Sequence, residues 1–211
     1  MYRNGGKRIF DFCCSLILIL ALSPLFLVLV LMTSVLMCGK PFFAQQRPGK
    51  NEKMFRLLKF RTMMIKKDAL GKLLPDDLRL TRYGRFLRKT SLDELPELFN
   101  ILKGDMSFVG PRPLLSEYLP FYTQEERKRH SVRPGLTGLA QVEGRNSLTW
   151  EQKFGYDLEY IHSISFKTDL KILLRTVRKV IKREDIRVGK EHIVGRLDKE
   201  RAVVGQPIEE R

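Results

Sequence analysis

The chain is poor in the residues that staple or ligate. It has three cysteines, Cys13, Cys14 and Cys38, in 211 residues. All lie within or beside one apolar run, so no disulfide framework can hold the polar remainder, which suits a reducing compartment. The histidines, His130, His162 and His192, are far apart and lack metal-ligand spacing, which argues against a zinc site. There is no internal repeat, no long Gly/Ser linker, and no dinucleotide or phosphate-loop fingerprint. Charge is absent altogether from Phe12 to Gly39. Elsewhere acidic charge is outnumbered: 39 Lys and Arg stand against 24 Asp and Glu, a formal net charge of +15. Such an excess implies an anionic partner, and nucleic acid, anionic lipid and a phosphorylated substrate all qualify. The length suffices for one compact domain plus an anchor and excludes two large domains.

The uncharged run is long enough to span. As one helix it would measure roughly 40 Å, more than the ~30 Å hydrocarbon core. A secretory signal peptide fits less well, because the run is too long and lacks a small-residue cleavage site. Ser23-Pro24 interrupts it. Pro24 has no N–H to donate and crowds the Leu20 carbonyl, so a kink is expected there. The two halves, roughly 16 and 22 Å, are each too short to cross. Basic residues flank both ends, Arg3, Lys7 and Arg8 before and Lys40, Arg47, Lys50 and Lys53 after. That pattern keeps both ends on the cytoplasmic side. A re-entrant helix broken at Ser23-Pro24, with Ser23 capping freed backbone, satisfies it; a kinked spanning helix remains the competing arrangement.

After Pro41 the hydrophobicity drops. MFRLLKFRTM reads as a strand carrying Arg56, Lys59 and Arg61, and residues 77–90 read as a helix. Arg79, Arg82, Arg85 and Arg88 recur there every three residues, a stripe that drifts about 60° per step, so the four cannot share one face. Some suit lipid headgroups and others a site; for each, a solvated charged face is the plainer reading. SLDELPELFN then starts another helix. Ser91 and Glu94 fit a capping box, and acids in a first turn complement the helix dipole. Pro96 fits that capping poorly, since it would delete a hydrogen bond just past the first turn. Adjacent helical side chains diverge by roughly 100°, so Asp93 and Glu94 cannot act as equivalent ligands. A division of labour follows: one attacks phosphorus or holds a metal, the other orients a metal or moves a proton.

GDMSFVGPRPLL reads as turn, short strand and a rigid Gly110-Pro111-Arg112-Pro113 segment. A guanidinium fixed between prolines suits bidentate phosphate binding, although an ordinary strand-ending turn has the same pattern. In SVRPGLTGLAQVEGRN, Gly135, Gly138 and Gly144 permit close backbone approach to a ligand, and Arg133 and Arg145 supply charge. Trp150, Phe154, Tyr156 and Tyr160 read first as core, and next as interfacial anchors or base-stacking residues. Asp157 lies among them, and Asp169 opens a helix over 168–182. That helix has Leu170, Leu173, Leu174, Val177, Val180 and Ile181 on one side and basic residues on the other. It can lie in a membrane interface or pack on the core. Periodicity fades beyond Arg187. The expected organisation is a membrane segment over 1–40, a catalytic domain over 41–187 and a mobile tail over 188–211.

At these residues the chain closely resembles the bacterial sugar transferase family, and within it the small monotopic phosphoglycosyl transferases. The resemblance covers roughly residues 2–185. It rests on KFRTM, on LPDDLRLTRYGRFLRKTSLDELPELFNILKGDMSFVGPRPL and on HSVRPGLTGLAQVEGRN. It implies an α/β fold, mostly helical with short strands: a monotopic protein with a re-entrant helix broken at Ser23-Pro24 and amphipathic interfacial helices. The implied reaction moves a phospho-sugar from a UDP-sugar to polyprenol phosphate and releases UMP, through a phosphosugar-aspartate. Asp93 and Glu94 then match the catalytic pair, with Mg²⁺ as cofactor on Asp93. Lys59, Arg88, Arg112, Arg145, Asp157 and Asp169 match further positions that bind substrate or phosphate. The implied partners are the UDP-sugar, the polyprenol phosphate, anionic membrane lipids and downstream glycosyltransferases, with no nucleic acid. The implied place is the cytoplasmic face of a bacterial inner membrane.

Overall fold

In the computed structural model, residues 2–144, 147–182 and 195–203 are described. Among them no single helix is long and apolar enough to cross a membrane. After a π turn over Tyr2–Gly6, the apolar run folds as two helices, α1 (Lys7–Ala21) and α2 (Ser23–Leu36), bent by 66° at Leu22. At 1.5 Å per residue each is about 21–22 Å long, short of the ~30 Å hydrocarbon core. Pro24 lies in the first turn of α2, where a missing N–H is no loss. Ser23 Oγ donates to the Leu20 carbonyl at 2.8 Å, serving an acceptor near the break. By length and composition the bent pair suits a broken span or a re-entrant loop. Ile17, Leu20, Leu27, Leu31 and Val35 point outward, each more than half exposed.

Polar contacts fasten this apolar pair to the rest. Arg8 donates to the carbonyls of Ile101 and Leu102, both at 2.6 Å. Asp11, buried in α1, accepts from the Phe108 N–H at 3.1 Å. On α2 the Thr33 and Tyr83 hydroxyls lie 3.0 Å apart.

The expected strand forms. β1 (Phe42–Pro48) and β2 (Met54–Phe60) make an antiparallel hairpin that pairs Phe43 with Lys59 and Arg47 with Phe55. The single helix expected over 77–90 is instead two, α3 (Asp76–Arg79) and α4 (Arg82–Thr90). Leu80 is extended at the junction, and Thr81 caps α4 by accepting from the Gly84 N–H at 2.9 Å. The arginine period of three therefore runs across two helices. α5 (Glu97–Lys103) ends at Gly104, whose φ of 96° closes the helix in the left-handed region.

β3 (Ser107–Val109) follows, then a 3-10 segment (Ser116–Phe121), α6 (Gln124–Arg127) and a second 3-10 segment (Lys128–Ser131). β4 (Gly135–Thr137) returns to pair with β3 in parallel. Here the glycines differ from expectation. A Cβ on Gly135 would lie 2.1 Å from the Gly110 nitrogen, and one on Gly138 would lie 2.2 Å from the Gly110 oxygen. Their small size serves backbone packing against the Gly-Pro-Arg-Pro segment. Gly144, after α7 (Leu139–Glu143), sits against the side chains of Ser147 and Leu148.

α8 (Trp150–His162) begins with a capping box between Thr149 and Gln152. α9 (Phe166–Lys182) starts two residues before the expected Thr168. It buries Ile172 and Asp169, while Leu170, Leu174, Val177 and Ile181 are 44%, 63%, 56% and 76% exposed. Most of the expected apolar side thus faces outward. Within the expected tail one helix is described. α10 (Leu197–Val203) packs on Tyr118, Tyr122, Trp150 and Phe154, with Leu197 fully buried. Arg201 grips the Glu126 carboxylate at 2.6 and 2.7 Å, and Trp150 Nε1 donates to the Gly195 carbonyl at 3.2 Å. The remaining tail positions, 188–194 and 204–211, lie outside the described residues.

Gly135→Ala is expected to force β4 from the Gly110 segment and to lower stability by about 1–3 kcal/mol. Thermal unfolding checks this; an unchanged midpoint would contradict the close packing.

Candidate active site

Asp93 and Glu94 lie in a 3-10 turn, Leu92–Glu94, between α4 and α5. Ser91 ends α4 in the left-handed region with φ 56°, and its side chain makes no cap to the next turn. The expected capping box is therefore absent, because Ser91 is engaged in closing one helix rather than opening the next. Pro96 occupies the N-cap of α5, and the first-turn acid of that helix is Glu97.

Lys59 sits between two of these acids. Its Nζ lies 2.7 Å from Glu94 Oε1 and 3.2 Å from Glu97 Oε1. The strand that carries it is tied to α5 by one side chain: Asn100 accepts from the Leu58 N–H at 3.0 Å and donates to the Arg56 carbonyl at 2.8 Å. Arg112 Nη2 reaches the same Glu94 oxygen at 3.1 Å. Burial alone would raise the Glu94 carboxyl, but Lys59 and then Arg112 outweigh it and hold the group well below the usual carboxylate range. Glu97 is 3% exposed. Its burial, and next the Glu94 charge, push it up to about 7, with Lys59 opposing.

Asp93 is different. It is buried, yet among the described residues no donor bonds its carboxylate. Burial and the Glu94 charge raise it, while Lys59, Arg88 and Arg112 pull the other way. Arg88 is aimed by Thr62, whose Oγ1 accepts from its Nε at 3.1 Å. The site thus holds one tethered carboxylate, one whose ionisation is pushed up toward neutral pH and one that no donor bonds.

The other expected substrate-binding acids are engaged elsewhere. Asp157 is 4% exposed and takes both Arg129 Nε at 3.0 Å and Nη2 at 2.8 Å. Arg129 in turn donates to the Arg112 carbonyl at 2.7 Å. Asp157 therefore bears on the Arg112 loop through Arg129, both contacts falling on its Oδ2. Asp169 is further removed in role. It is 1% exposed and bonded by Tyr2 at 2.6 Å, Lys7 at 2.5 Å and Tyr160 at 2.8 Å. It joins the N-terminal segment to α8 and α9, because a buried carboxylate must recruit donors. Arg145 lies outside the described residues. Glu97, Asn100 and Arg129 escaped the sequence reading. Only Glu97 carried a signal, its spacing of three from Glu94, which places helical side chains as neighbours.

A cavity of about 240 Å³ lies beside the acids. Its lining joins Ser91 and Glu94 to Leu18 and Leu22 at the helix break, and to Leu173 and Val177 of α9. Among the described residues no group of three or more His, Cys, Asp or Glu side chains is placed to hold a metal.

The family model described as bacterial sugar transferase matches residues 2–183. The chain is 50% identical to the uncharacterized sugar transferase EpsL of Bacillus subtilis (strain 168), over 85% of this chain and 89% of that one. It is 38% identical to an undecaprenyl-phosphate galactose phosphotransferase of Salmonella typhimurium, over 84% of this chain and 41% of the relative. It is 40% identical to an undecaprenyl-phosphate glucose phosphotransferase of Komagataeibacter xylinus, over 83% and 36% respectively. The chain therefore spans less than half of the two named phosphotransferases.

The unfolded carboxyl of Glu97 titrates at 4.5 and the folded one at about 7. The folded state holds this proton more tightly, so its favourable contribution is full below the unfolded value and lost as pH rises through 7. Glu97→Gln is expected to be more stable than the parent at about pH 8, by on the order of 1 kcal/mol or more, with a correspondingly higher thermal midpoint, and to lose that advantage near pH 4. Parallel melting curves across this range would overturn the assignment.

Proposed function

The chain belongs to the bacterial sugar transferase family, and on that premise we propose that it transfers a phospho-sugar from a UDP-sugar to undecaprenyl or a related polyprenol phosphate. The products are a polyprenyl-diphosphate-sugar and UMP. The observation that carries this reading is the inequality of the adjacent acids. Glu94 is tied to Lys59 and Arg112, whereas no donor bonds the buried Asp93 carboxylate. A carboxylate with unbonded oxygens, raised by burial and set among Lys59, Arg88 and Arg112, suits nucleophilic attack on phosphorus.

In the proposed first step an Asp93 oxygen bonds to the β-phosphorus of the donor. The bond from that phosphorus to the bridging oxygen breaks, and the electron pair leaves with UMP. A phosphosugar-aspartate remains. In the second step a phosphate oxygen of the lipid bonds to the same phosphorus, the bond to Asp93 breaks, and the carboxylate is restored. Lys59, Arg88 and Arg112 offset charge on the transferring group, the principal route to catalysis in phosphoryl transfer. Magnesium fits this site through Asp93, whose oxygens are free to share with donor phosphates, since Mg²⁺ commonly takes one or two carboxylates plus phosphate oxygens. When bound it would neutralise diphosphate charge.

The cavity supports the lipid side of the reading. It runs from Glu94 to the break between α1 and α2, so a polyprenyl chain could lie along Leu18, Leu22 and Leu173 with its phosphate at the acids. The outward apolar faces of α1, α2 and α9 suit a monotopic seat in a bacterial inner membrane, on its cytoplasmic face, among anionic lipids that the +15 charge favours. Glycosyltransferases that extend the lipid-linked sugar would then act on the product.

Asp93→Asn is expected to abolish the labelled covalent adduct formed from a radiolabelled UDP-sugar and to cut UMP release by roughly a thousandfold or more. Persistence of the adduct in that variant would sink the nucleophile assignment. Tags at the two termini should both be accessible from the cytoplasm only; tags on opposite sides would refute the re-entrant arrangement.

A further inference from the structure

Arg47 is a cation that lacks an anion. It lies near the end of β1, opposite Phe55. Strand alternation puts Phe43, Gln45 and Arg47 on the same face as their partners Lys59, Leu57 and Phe55. That face is turned inward: Phe55 and Leu57 are buried, and Lys59 reaches Glu94 and Glu97 from it. Arg47 Nη2 donates to Gln45 Oε1 at 2.7 Å, while its Nε is buried with no partner. Among the described residues it makes no ion pair with a carboxylate.

Its surroundings make this arrangement costly as it stands. Burial, and next the Arg112 charge, pull Arg47 down, against weaker support from Tyr118, Glu97 and Tyr122. Arg112 is itself half-exposed and uses only Nη2 on Glu94. A guanidinium carries five donors in a planar fork. A guanidinium with a buried unused donor, in the field of a second cation, is stabilised when an anion reaches that donor. Residues four apart on a strand are about 13 Å apart. Arg47 and Lys59 are separated by that distance along the hairpin, and Arg112 bears on both.

We propose that Arg47, together with Arg112, binds the nucleotide-side phosphoryl group of a nucleoside-diphosphate donor, while Lys59 and Arg88 serve the phosphoryl group attacked by Asp93. This rests on the donor reading above and adds a binding residue to it. The site would hold the leaving nucleotide monophosphate until the phosphosugar has been transferred. Arg47 would then govern donor affinity and nucleotide inhibition, and leave the lipid acceptor alone.

The test uses the full chain in lipid nanodiscs, with Arg47→Gln and Arg47→Lys. UDP and UMP binding are measured by calorimetry, and KM is measured for the UDP-sugar and for undecaprenyl phosphate. Arg47→Gln is expected to weaken UDP at least tenfold and to raise the donor KM similarly, with the acceptor KM unmoved. Arg47→Lys, which keeps the charge and loses the fork, should fall between. A purely structural Arg47 would lower the thermal midpoint and leave UDP affinity in the folded fraction unchanged, and that result overturns the proposal. Should Arg47→Gln fail to fold, Arg47→Lys with unaltered UDP and UMP affinity overturns it equally. Normal UMP release with an unmoved donor KM removes Arg47 alone; no UMP release by the parent from any UDP-sugar removes the donor reading beneath it.

Discussion

The site depends on one ammonium group held between two carboxylates. Lys59 Nζ is within 3.2 Å of both Glu94 and Glu97. Without it, three acids within five residues of one another would face a shared, largely buried space, and like charges there cannot all ionise. Lys59 resolves the conflict unevenly. It pairs closely with Glu94, which Arg112 also serves, so Glu94 stays ionised. Glu97 receives the longer contact and keeps its proton to a higher pH. Asp93 receives no hydrogen bond and keeps its oxygens open. The position of Lys59 is in turn owed to Asn100, which stitches β2 to α5 through both amide atoms. Hydrogen bonds from a helix side chain to a strand thus bear on which acid is tied and which is left unbonded.

The same logic joins the apolar helices to the polar domain. Hydrophobic contact alone gives no register between an apolar hairpin and the domain that carries it. Register here comes from buried polar groups that have only one satisfactory partner. Asp11 accepts from Phe108 at the start of the Gly-Pro-Arg-Pro region, and Asp169 gathers Tyr2, Lys7 and Tyr160. Breaking one member of such a set leaves a buried charge uncompensated, which is more costly than the pair is stabilising. The helix break is therefore fixed in place over the cavity rather than merely nearby.

Legibility from sequence follows the range of the interaction. Ser23-Pro24, the strand at MFRLLKF and the strand within GDMSFV all rest on neighbours within a few residues, and all are readable. The break at Leu80-Thr81 within the helix expected over 77–90 is not read from the sequence. What fails is long-range pairing. Asp157 and Asp169 look alike in sequence to acids of a site, yet their partners, Arg129, Lys7 and Tyr2, lie 28, 162 and 167 positions away. Leu197 and Arg201 look like tail because their partners, near Tyr118 and Glu126, are equally remote. The acid pair stands out by type and spacing, but its catalytic role is what the family resemblance implies, and its inequality depends on where Lys59 points.

That inequality also explains why adjacent acids serve where one would not. Under the proposed reaction the nucleophile must be ionised and yet not satisfied by hydrogen bonds that attack would have to break. A single buried carboxylate meets the second condition by raising its pKa and failing the first. Glu94 beside it adds to that rise by its own charge, yet it also brings Lys59 and Arg112 into the site as its partners, and their charges, with that of Arg88, oppose the rise through space without bonding Asp93. Glu94 is then less a second catalyst than the means by which cations are stationed next to the first. The two residues must be adjacent for this, since the effect on Asp93 falls with distance, and they must differ in length, so that the longer side chain reaches the cations while the shorter stays back. An aspartate followed by a glutamate meets both requirements.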